Sequence, residues 1–246
     1  MILKGQPMKI IHMTRSRVHL PARSVSIHAA AILMCGLLVA QADLITFPVN
    51  IEVPDNDPTG LQDTQTLGGY EGTIVSIEMR LTMTQSDGDL SWVGDYYVTL
   101  QHDSGFAVVL NRVGRSSSEP LGYSDSGFDI TLTAVAPDVH QYQTYTPSYD
   151  SQGRLTGTWG MDGRHVDPDS VLDTDPQTAM LTSFHGLDAN GDWTIFVADL
   201  NQNGTVTLDS WGLDITTVPE PSTLSLIGIA LGWLYRRKRV RVQAWR

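Results

Sequence analysis

The chain has 246 residues, of which 41% are hydrophobic and 17% are charged, so it is too apolar to be disordered and long enough to bury a core. Between residues 43 and 218, five arginines stand against 26 aspartates and glutamates, a formal charge of −21, which excludes nucleic acid as a partner of this region because phosphate binding needs a basic surface. The single cysteine, Cys35, excludes a disulfide scaffold and a cysteine-based zinc site.

The N-terminal segment has the organisation of a secretory signal peptide. Residues 1–24 contain five basic residues and no acidic residue, and the next fifteen residues are apolar apart from one serine and one histidine. Ala40 and Ala42 then follow at the spacing of a signal-peptidase site. We therefore expect residues 1–42 to be a removable signal helix and Asp43 to be the first mature residue.

The pattern of residues 43–217 predicts one all-β domain. No stretch of about 12 residues has apolar side chains at helical spacing, and β-branched and aromatic residues are frequent. Apolar residues alternate with mixed or polar ones in several segments, which is typical of a sheet packed on one side and hence of a β-sandwich. The predicted strands are residues 45–49, 73–84, 96–102, 107–112, 128–132, 193–199, 206–208 and 211–216.

The segment between residues 136 and 179 is rich in Asp, Pro, Ser, Thr and Tyr and is poorly patterned. We expect loops here, with one or two short strands. Its aromatic residues are a candidate saccharide-binding face, because sugars stack on exposed rings, although aromatic residues in β-proteins more often lie in the core. These residues are Tyr142, Tyr145, Tyr149 and Trp159.

Several segments of the predicted domain resemble the P/Homo B domain, which accompanies the subtilisin-like catalytic domain in proprotein convertases. The resemblance implies a β-jelly-roll and covers essentially the whole mature chain, but it departs from the family pattern at residues 91–96 and 153–175. The segments that carry it are residues 53–60, 108–114, 181–194, 198–199, 204 and 210–213.

The family association suggests serine proteolysis, but the sequence argues against an enzyme. A subtilisin-like domain needs a few hundred residues, whereas about 175 remain after both signals are removed, and these read as the accessory domain. Neither a Gly-x-Ser-x-Gly nor a His-Glu-x-x-His motif is present, and both would mark a catalytic centre. The four histidines of the domain are expected to be structural or exposed: His102, His140, His165 and His185.

The segment that starts at Asp199 is the candidate metal site. Asp199, Asn201 and Asn203 occupy positions 1, 3 and 5 of an EF-hand-like loop, and a glycine stands at position 6. Position 12 is Ser210 rather than a bidentate Glu. The sequence favours the other interpretation, a β-hairpin that turns at Asn203 and the following glycine. Calcium is therefore a possible cofactor, favoured by the excess of carboxylates.

The C-terminal residues form three consecutive parts. Pro219, Glu220 and Pro221 precede an apolar run over residues 224–235, which as a helix is about 18 Å long against a bilayer core of about 30 Å. Such a run is marginal as a permanent span, so we expect transient membrane insertion, with the basic cluster on the cytoplasmic side. The basic cluster is Arg236, Arg237, Lys238 and Arg239.

This order of parts resembles the PEP-CTERM sorting signal of Gram-negative bacteria. The resemblance implies recognition by an exosortase-type membrane protease that processes the tail, so residues 218–246 are predicted to be the sorting signal. The last residues, 240–246, extend beyond the usual basic end.

Together, these features predict an exported, non-catalytic protein of the cell surface or extracellular matrix with an interaction or structural role. One alternative is a free-standing accessory domain that stabilises or targets a subtilisin-like protease. The other is a calcium-dependent module that binds exopolysaccharide.

Overall fold

The computed structural model describes residues 41–85 and 92–218. Within these residues the regular secondary structure is mostly β-strand, with short 3₁₀ helices at Val93–Asp95, Val139–Thr144 and Leu181–Phe184. The strands are β1 (Gln41–Val53), β2 (Leu61–Leu67), β3 (Thr73–Gln85), β4 (Tyr96–His102), β5 (Gly105–Asn111), β6 (Gly127–Asp138), β7 (Ser148–Tyr149), β8 (Leu155–Gly160), β9 (Gly191–Asp199) and β10 (Val206–Val218).

The strands form two sheets. One sheet has six strands in the order β1-β10-β3-β6-β8-β7, and the other has four in the order β2-β9-β4-β5. All pairs are antiparallel except β6 with β8, which run parallel. The expected all-β class is confirmed, and the jelly-roll topology stays a prediction.

One hydrophobic cluster is shared by both sheets. Met79 and Leu81 of β3 contribute to it from the large sheet, and Leu100 and Ile195 contribute from the small sheet, all of them buried. Successive strand residues point to opposite faces, and in β9 this brings Trp193, Ile195 and Val197 into the core. The alternation in the sequence therefore corresponds to a face that is buried in the structure.

The strands that differ from the sequence-based expectation do so for visible reasons. The two predicted segments near the C-terminus form one continuous strand, β10, whose pairing shifts register between Leu208 and Ser210. Strand β2 was not predicted because its sequence, LQDTQTL, is mostly polar, and its half-exposed position at a sheet edge tolerates this. The two short strands expected among the loops of residues 136–179 are β7 and β8.

The predicted terminal signals lie largely outside the described residues. Ala40 and residues 219–246, with all of the predicted sorting residues, fall there. Strand β1 begins two residues before the predicted first mature residue, and Gln41 and Ala42 pair with Thr217 and Thr216 of β10. Among the residues that the structure describes, no helix has the length and hydropathy of a membrane span.

Candidate functional site

The loop after Asp199 connects the two sheets. Strand β9 belongs to the four-stranded sheet and β10 to the six-stranded sheet, so the favoured interpretation of a β-hairpin at Asn203 was wrong: each strand finds its partners in its own layer. Asn203 and Gly204 have φ angles of 83° and 85°, the left-handed conformation that asparagine and glycine tolerate best. The sharp turn was predicted correctly, whereas the pairing of its flanking strands was not.

Two of the three predicted metal-site residues lie together at this loop. Asp199 is only 1% exposed, and its Oδ1 atom accepts a hydrogen bond of 3.2 Å from the backbone N–H of Asn201. The side chain of Asn201 in turn donates to Oδ1 of Asp95 over 3.2 Å. Asn203 is exposed and has no recorded contact to either carboxylate.

Asp95 is the buried carboxylate of this group that sequence reasoning missed. It reaches Asp199 because Tyr96, the first residue of β4, pairs with Asp199 at the end of β9. Arg112 approaches Asp95 with 3.5 Å between Nη2 and Oδ1, and its Nε donates to the carbonyl of Gly94. No local sequence pattern links residues so far apart in the chain.

The electrostatics of this pair favour a neutralising partner. Burial raises the pKa of Asp199 to about 7, and the nearby charges of Asp95 and Asp55 add to the effect. Burial also raises the pKa of Asp95, opposed in part by the hydrogen bond from Asn201 and by Arg112. Burial and mutual repulsion therefore disfavour a negative charge on both carboxyl groups at once.

Most ligands of a metal at this position would be backbone carbonyls and water rather than side chains. In residues 41–85 and 92–218 no three Asp, Glu, His or Cys side chains converge as a metal-binding group. Calcium takes 6 to 8 oxygen ligands, so Asp95, Asp199 and the amide oxygen of Asn201 would need backbone carbonyls and water to complete the shell. Calcium binding stays a prediction.

A pocket of about 430 Å³ lies on the face of the small sheet opposite the core. Tyr97 of β4 and Phe196 of β9 form its aromatic floor, with ring centroids 6.4 Å apart in an edge-to-face arrangement. The neighbouring residues of these strands, Val98 and Val197, point into the core. The remaining lining residues come from strand β9 and three loops: Asn56, Pro58, Asp167, Pro168, Asp169, Ala198 and Leu200.

The loop of residues 54–60 is held tightly as one wall of this pocket. The backbone N–H of Asp57 donates to the carbonyl of Asp199 over 3.0 Å. Gly60 has a φ of 55°, and a Cβ at this position would lie 2.4 Å from the carbonyl oxygen of Val197. Only glycine permits so close an approach to β9.

The loop of residues 166–170 forms the opposite wall and is also anchored. Arg115 donates to the carbonyl oxygens of Pro168 and Asp169. Asn111 is fully buried and donates from Nδ2 to the carbonyl of Val166 over 3.1 Å. The pocket is therefore bounded by fixed backbone on both sides, so it exists before any ligand arrives.

Two of the four histidines of the domain, His140 and His102, are buried among structural partners. Nδ1 of His140 lies 2.7 Å from Oδ2 of Asp162, and Nε2 lies 2.9 Å from the carbonyl oxygen of Arg115. His102 stacks on Trp193 with ring centroids 4.0 Å apart and contacts two backbone carbonyls. His165 and His185 are exposed. The recorded partners of the two buried rings include no hydroxyl or thiol that a base could activate.

The predicted saccharide face is divided between core and surface. Tyr142 and Trp159 are buried, while Tyr145 and Tyr149 are 48% and 42% exposed. The hydroxyl of Tyr142 donates to Asp125, and the ring of Tyr142 packs edge-on against Trp159. Most of this aromatic surface is therefore used in packing rather than displayed.

Two family models match the chain. Residues 129–215 match the proprotein convertase P-domain, and residues 217–239 match the PEP-CTERM protein-sorting motif. Both predicted resemblances are thus confirmed, although the P-domain match spans only the second half of the expected domain. The sorting motif marks an exported protein, sorted by an exosortase to the cell envelope or surface in Gram-negative bacteria.

No curated protein matches the chain significantly. Among solved structures, one match is a crystal structure of an Aeromonas sobria serine protease in complex with a chaperone, at 13% identity and a TM-score of 0.32. The match covers 72% of this chain and 28% of that chain. A likeness at this TM-score carries no conclusion about fold or role.

Proposed function

We propose that the chain is a non-catalytic binding module of the cell surface, which contacts its partner through the pocket on the small sheet. The observation that carries this proposal is the preformed pocket, with an aromatic floor and two anchored walls. Rigid walls reduce the entropy that a surface loses on binding, so a preorganised pocket favours recognition. The two buried histidines, in contrast, are engaged in packing, in contacts with backbone carbonyls and in the pair with Asp162.

The proposed organisation of the chain follows from its signals. Residues 1–42 are removed on export at Ala40 and Ala42, residues 43–217 form the binding domain, and residues 218–246 form the sorting signal. Pro219, Glu220 and Pro221 provide the region that the exosortase recognises, and the basic cluster holds the tail in the membrane during processing. Calcium, at Asp199 and Asn201, stabilises the domain rather than taking part in chemistry.

A second candidate function is that of an accessory domain for a subtilisin-like protease encoded separately. It is favoured by the P-domain match over residues 129–215. The two candidates differ in their partner, since an accessory domain would form a stable complex with one protease. Exopolysaccharide binding has weaker support, because two of the four aromatic residues expected to bind sugar, Tyr142 and Trp159, are buried.

A photo-crosslinking residue placed at Asp169, on the rim of the pocket, tests the proposal in intact cells. The matched control is the same residue at Glu78, which is exposed on β3 of the other sheet. We expect discrete adducts from position 169 and none from position 78. Equal adduct patterns at both positions, or none at 169, would contradict a binding role for the pocket face. An adduct with a serine protease would favour the accessory-domain candidate.

A further inference from the structure

We propose that the pocket on the small sheet binds an arginine or lysine side chain of an extended, basic polypeptide segment. This inference rests on the proposed function, because it names the chemical class of partner for the same pocket. Three features of the described residues support it, namely the field of the domain, the charge on the pocket walls and the amphipathic character of the lining.

The field of the domain selects a cationic partner. Residues 43–218 carry a formal charge of −21, which repels anionic polymers and accelerates the approach of cations. Two aspartates, Asp167 and Asp169, line the pocket on one wall, and Asp55 and Asp57 belong to the loop that forms the other wall. Hydrogen bonds from Thr59 lower the pKa of Asp57, so this exposed carboxylate keeps its charge.

The arginines of the described residues neutralise these walls only in part. Arg112 forms a long ion pair with Asp169, with 3.8 Å between Nη1 and Oδ1, and the side chain of Asp169 is still 88% exposed. Arg115 donates to backbone carbonyls of the same loop instead of a carboxylate. The carboxylates at the pocket mouth thus remain accessible to a charge from outside.

The lining matches both parts of a long basic side chain. Apolar surface comes from Pro58, Pro168 and Leu200, which suits the aliphatic stem, while the carboxylates of Asp167 and Asp169 stand where the charged head would lie. The faces of Tyr97 and Phe196 add a cation–π contribution. A neutral sugar would leave the wall carboxylates without a matching charge, so the same lining fits it less well.

The test uses the full chain and a fluorescein-labelled octapeptide of alternating glycine and arginine, followed by fluorescence anisotropy. The control peptide has glutamate in place of arginine. We expect a dissociation constant on the order of 10⁻⁵ M for the arginine peptide at low salt, weakening as salt screens the walls, and no binding of the glutamate peptide.

Three variants distinguish binding in the pocket from attraction to the net negative charge of the domain. Phe196→Leu keeps an apolar side chain but removes the ring, and we expect a loss of affinity of about threefold to tenfold. Asp167→Asn keeps the acceptor for the backbone N–H of Asp169 but removes one wall charge, and we expect a loss of about twofold to fivefold. Glu78→Gln removes the same charge from the other sheet and should leave affinity unchanged.

Equal effects of Asp167→Asn and Glu78→Gln would overturn the proposal, because binding would then depend on net charge alone. Absence of binding by the arginine peptide would overturn it as well. Tighter binding of a partly deacetylated amino-sugar oligomer, lost in Phe196→Leu, would assign the pocket to a cationic saccharide instead. If peptide binding fails while adducts still form at position 169 in cells, the pocket keeps its role and only the class of partner is wrong.

Discussion

His140 and Asp162 form a fully buried pair, with 2.7 Å between Nδ1 of the imidazole and Oδ2 of the carboxylate. Because the other ring nitrogen faces a carbonyl oxygen, both nitrogens find acceptors only when the imidazole is protonated. Arg164 completes the group with Nη2 lying 2.7 Å from Asp138 and Nη1 lying 3.3 Å from Asp162. This network joins the end of β6 to residues 162–164, which lead into the pocket wall of residues 166–170.

Removing the charge of Asp162 is expected to destabilise the domain strongly. Asp162→Asn leaves the protonated His140 without its counter-ion in the core, which costs about 3–5 kcal/mol of a total stability of about 5–15 kcal/mol. Urea unfolding at pH 6 measures the loss. The control is Asp129→Asn at a half-exposed ion pair with Arg154, where we expect a loss below about 1 kcal/mol. Similar losses in both variants would contradict the role assigned to the buried network.

The same pair predicts a pH dependence. Burial opposes the charge on His140, but the hydrogen bond and the charge of Asp162 outweigh it and raise the pKa of His140 above its ordinary value of 6.5. The stabilisation is therefore complete below about pH 6.5 and is lost as the pH rises through the raised pKa. Unfolding free energies between pH 6 and pH 9 should fall for the natural chain, and His140→Gln should reduce the slope. An unchanged slope in His140→Gln would place the titration elsewhere.

Asp199 adds a second pH effect at lower pH. Because burial raises its pKa from 3.8 to about 7, the folded state holds a proton that the unfolded state has released, and stability falls as the pH rises between these values. In EDTA, Asp199→Asn should flatten this part of the profile and stabilise the domain at neutral pH by on the order of 2 kcal/mol. Asp209→Asn, at a partly exposed position, is the control. A profile that keeps its slope in Asp199→Asn would contradict the assignment.

Calcium is expected to relieve the repulsion between Asp95 and Asp199. A site with few side-chain ligands should have a dissociation constant on the order of 10⁻⁴ to 10⁻³ M. At about 100-fold excess over that constant, binding adds about 2.7 kcal/mol, which is several degrees in melting temperature. Melting in EDTA, in calcium and in magnesium at matched ionic strength separates a site from screening. Equal melting temperatures would contradict a calcium site. A calcium-dependent rise in melting temperature that persists in Asp199→Asn would place the site in another loop.

The sorting signal predicts one processing defect. Replacing Glu220 and both flanking prolines, Pro219 and Pro221, with alanine should trap an unprocessed, membrane-held form, because the region recognised by the exosortase is lost. Mass spectrometry of surface protein measures the outcome. Peptides from residues 233–246 in the surface form of the natural chain would show that the tail is not removed there.

The sequence predicts those parts of the fold that local patterns encode. Alternation in β9 and β10 identified the buried faces of Trp193 and Trp211, since a period of two needs only neighbouring residues. Strand β2 escaped prediction because its polar residues lie at a sheet edge, where pairing with β9 rather than burial defines the strand. Spacing made Asp199 and Asn201 candidate metal ligands, which stay a prediction, and the sharp turn at Asn203 was predicted from its turn chemistry.

The parts of the fold and of the site that the sequence did not predict depend on pairing between distant segments. Asp95 joins Asp199 only through the register of β4 and β9. His140, in the 3₁₀ helix after β6, meets Asp162 only because β8, the strand before Asp162, pairs with β6. The pocket likewise combines Tyr97, Phe196 and two separate loops. Such sites are defined by contacts between distant segments, and no window of sequence contains them.

Retention of the processed chain at the cell surface tests most directly whether the pocket on the small sheet binds a partner. The natural chain, Phe196→Leu and the control Glu78→Gln are compared for the fraction retained on washed cells and the fraction released into the medium. We predict that all three are exported and processed equally, and that only Phe196→Leu is released to a greater extent. Equal retention of Phe196→Leu and Glu78→Gln, with normal folding of both, would contradict a binding role for the pocket.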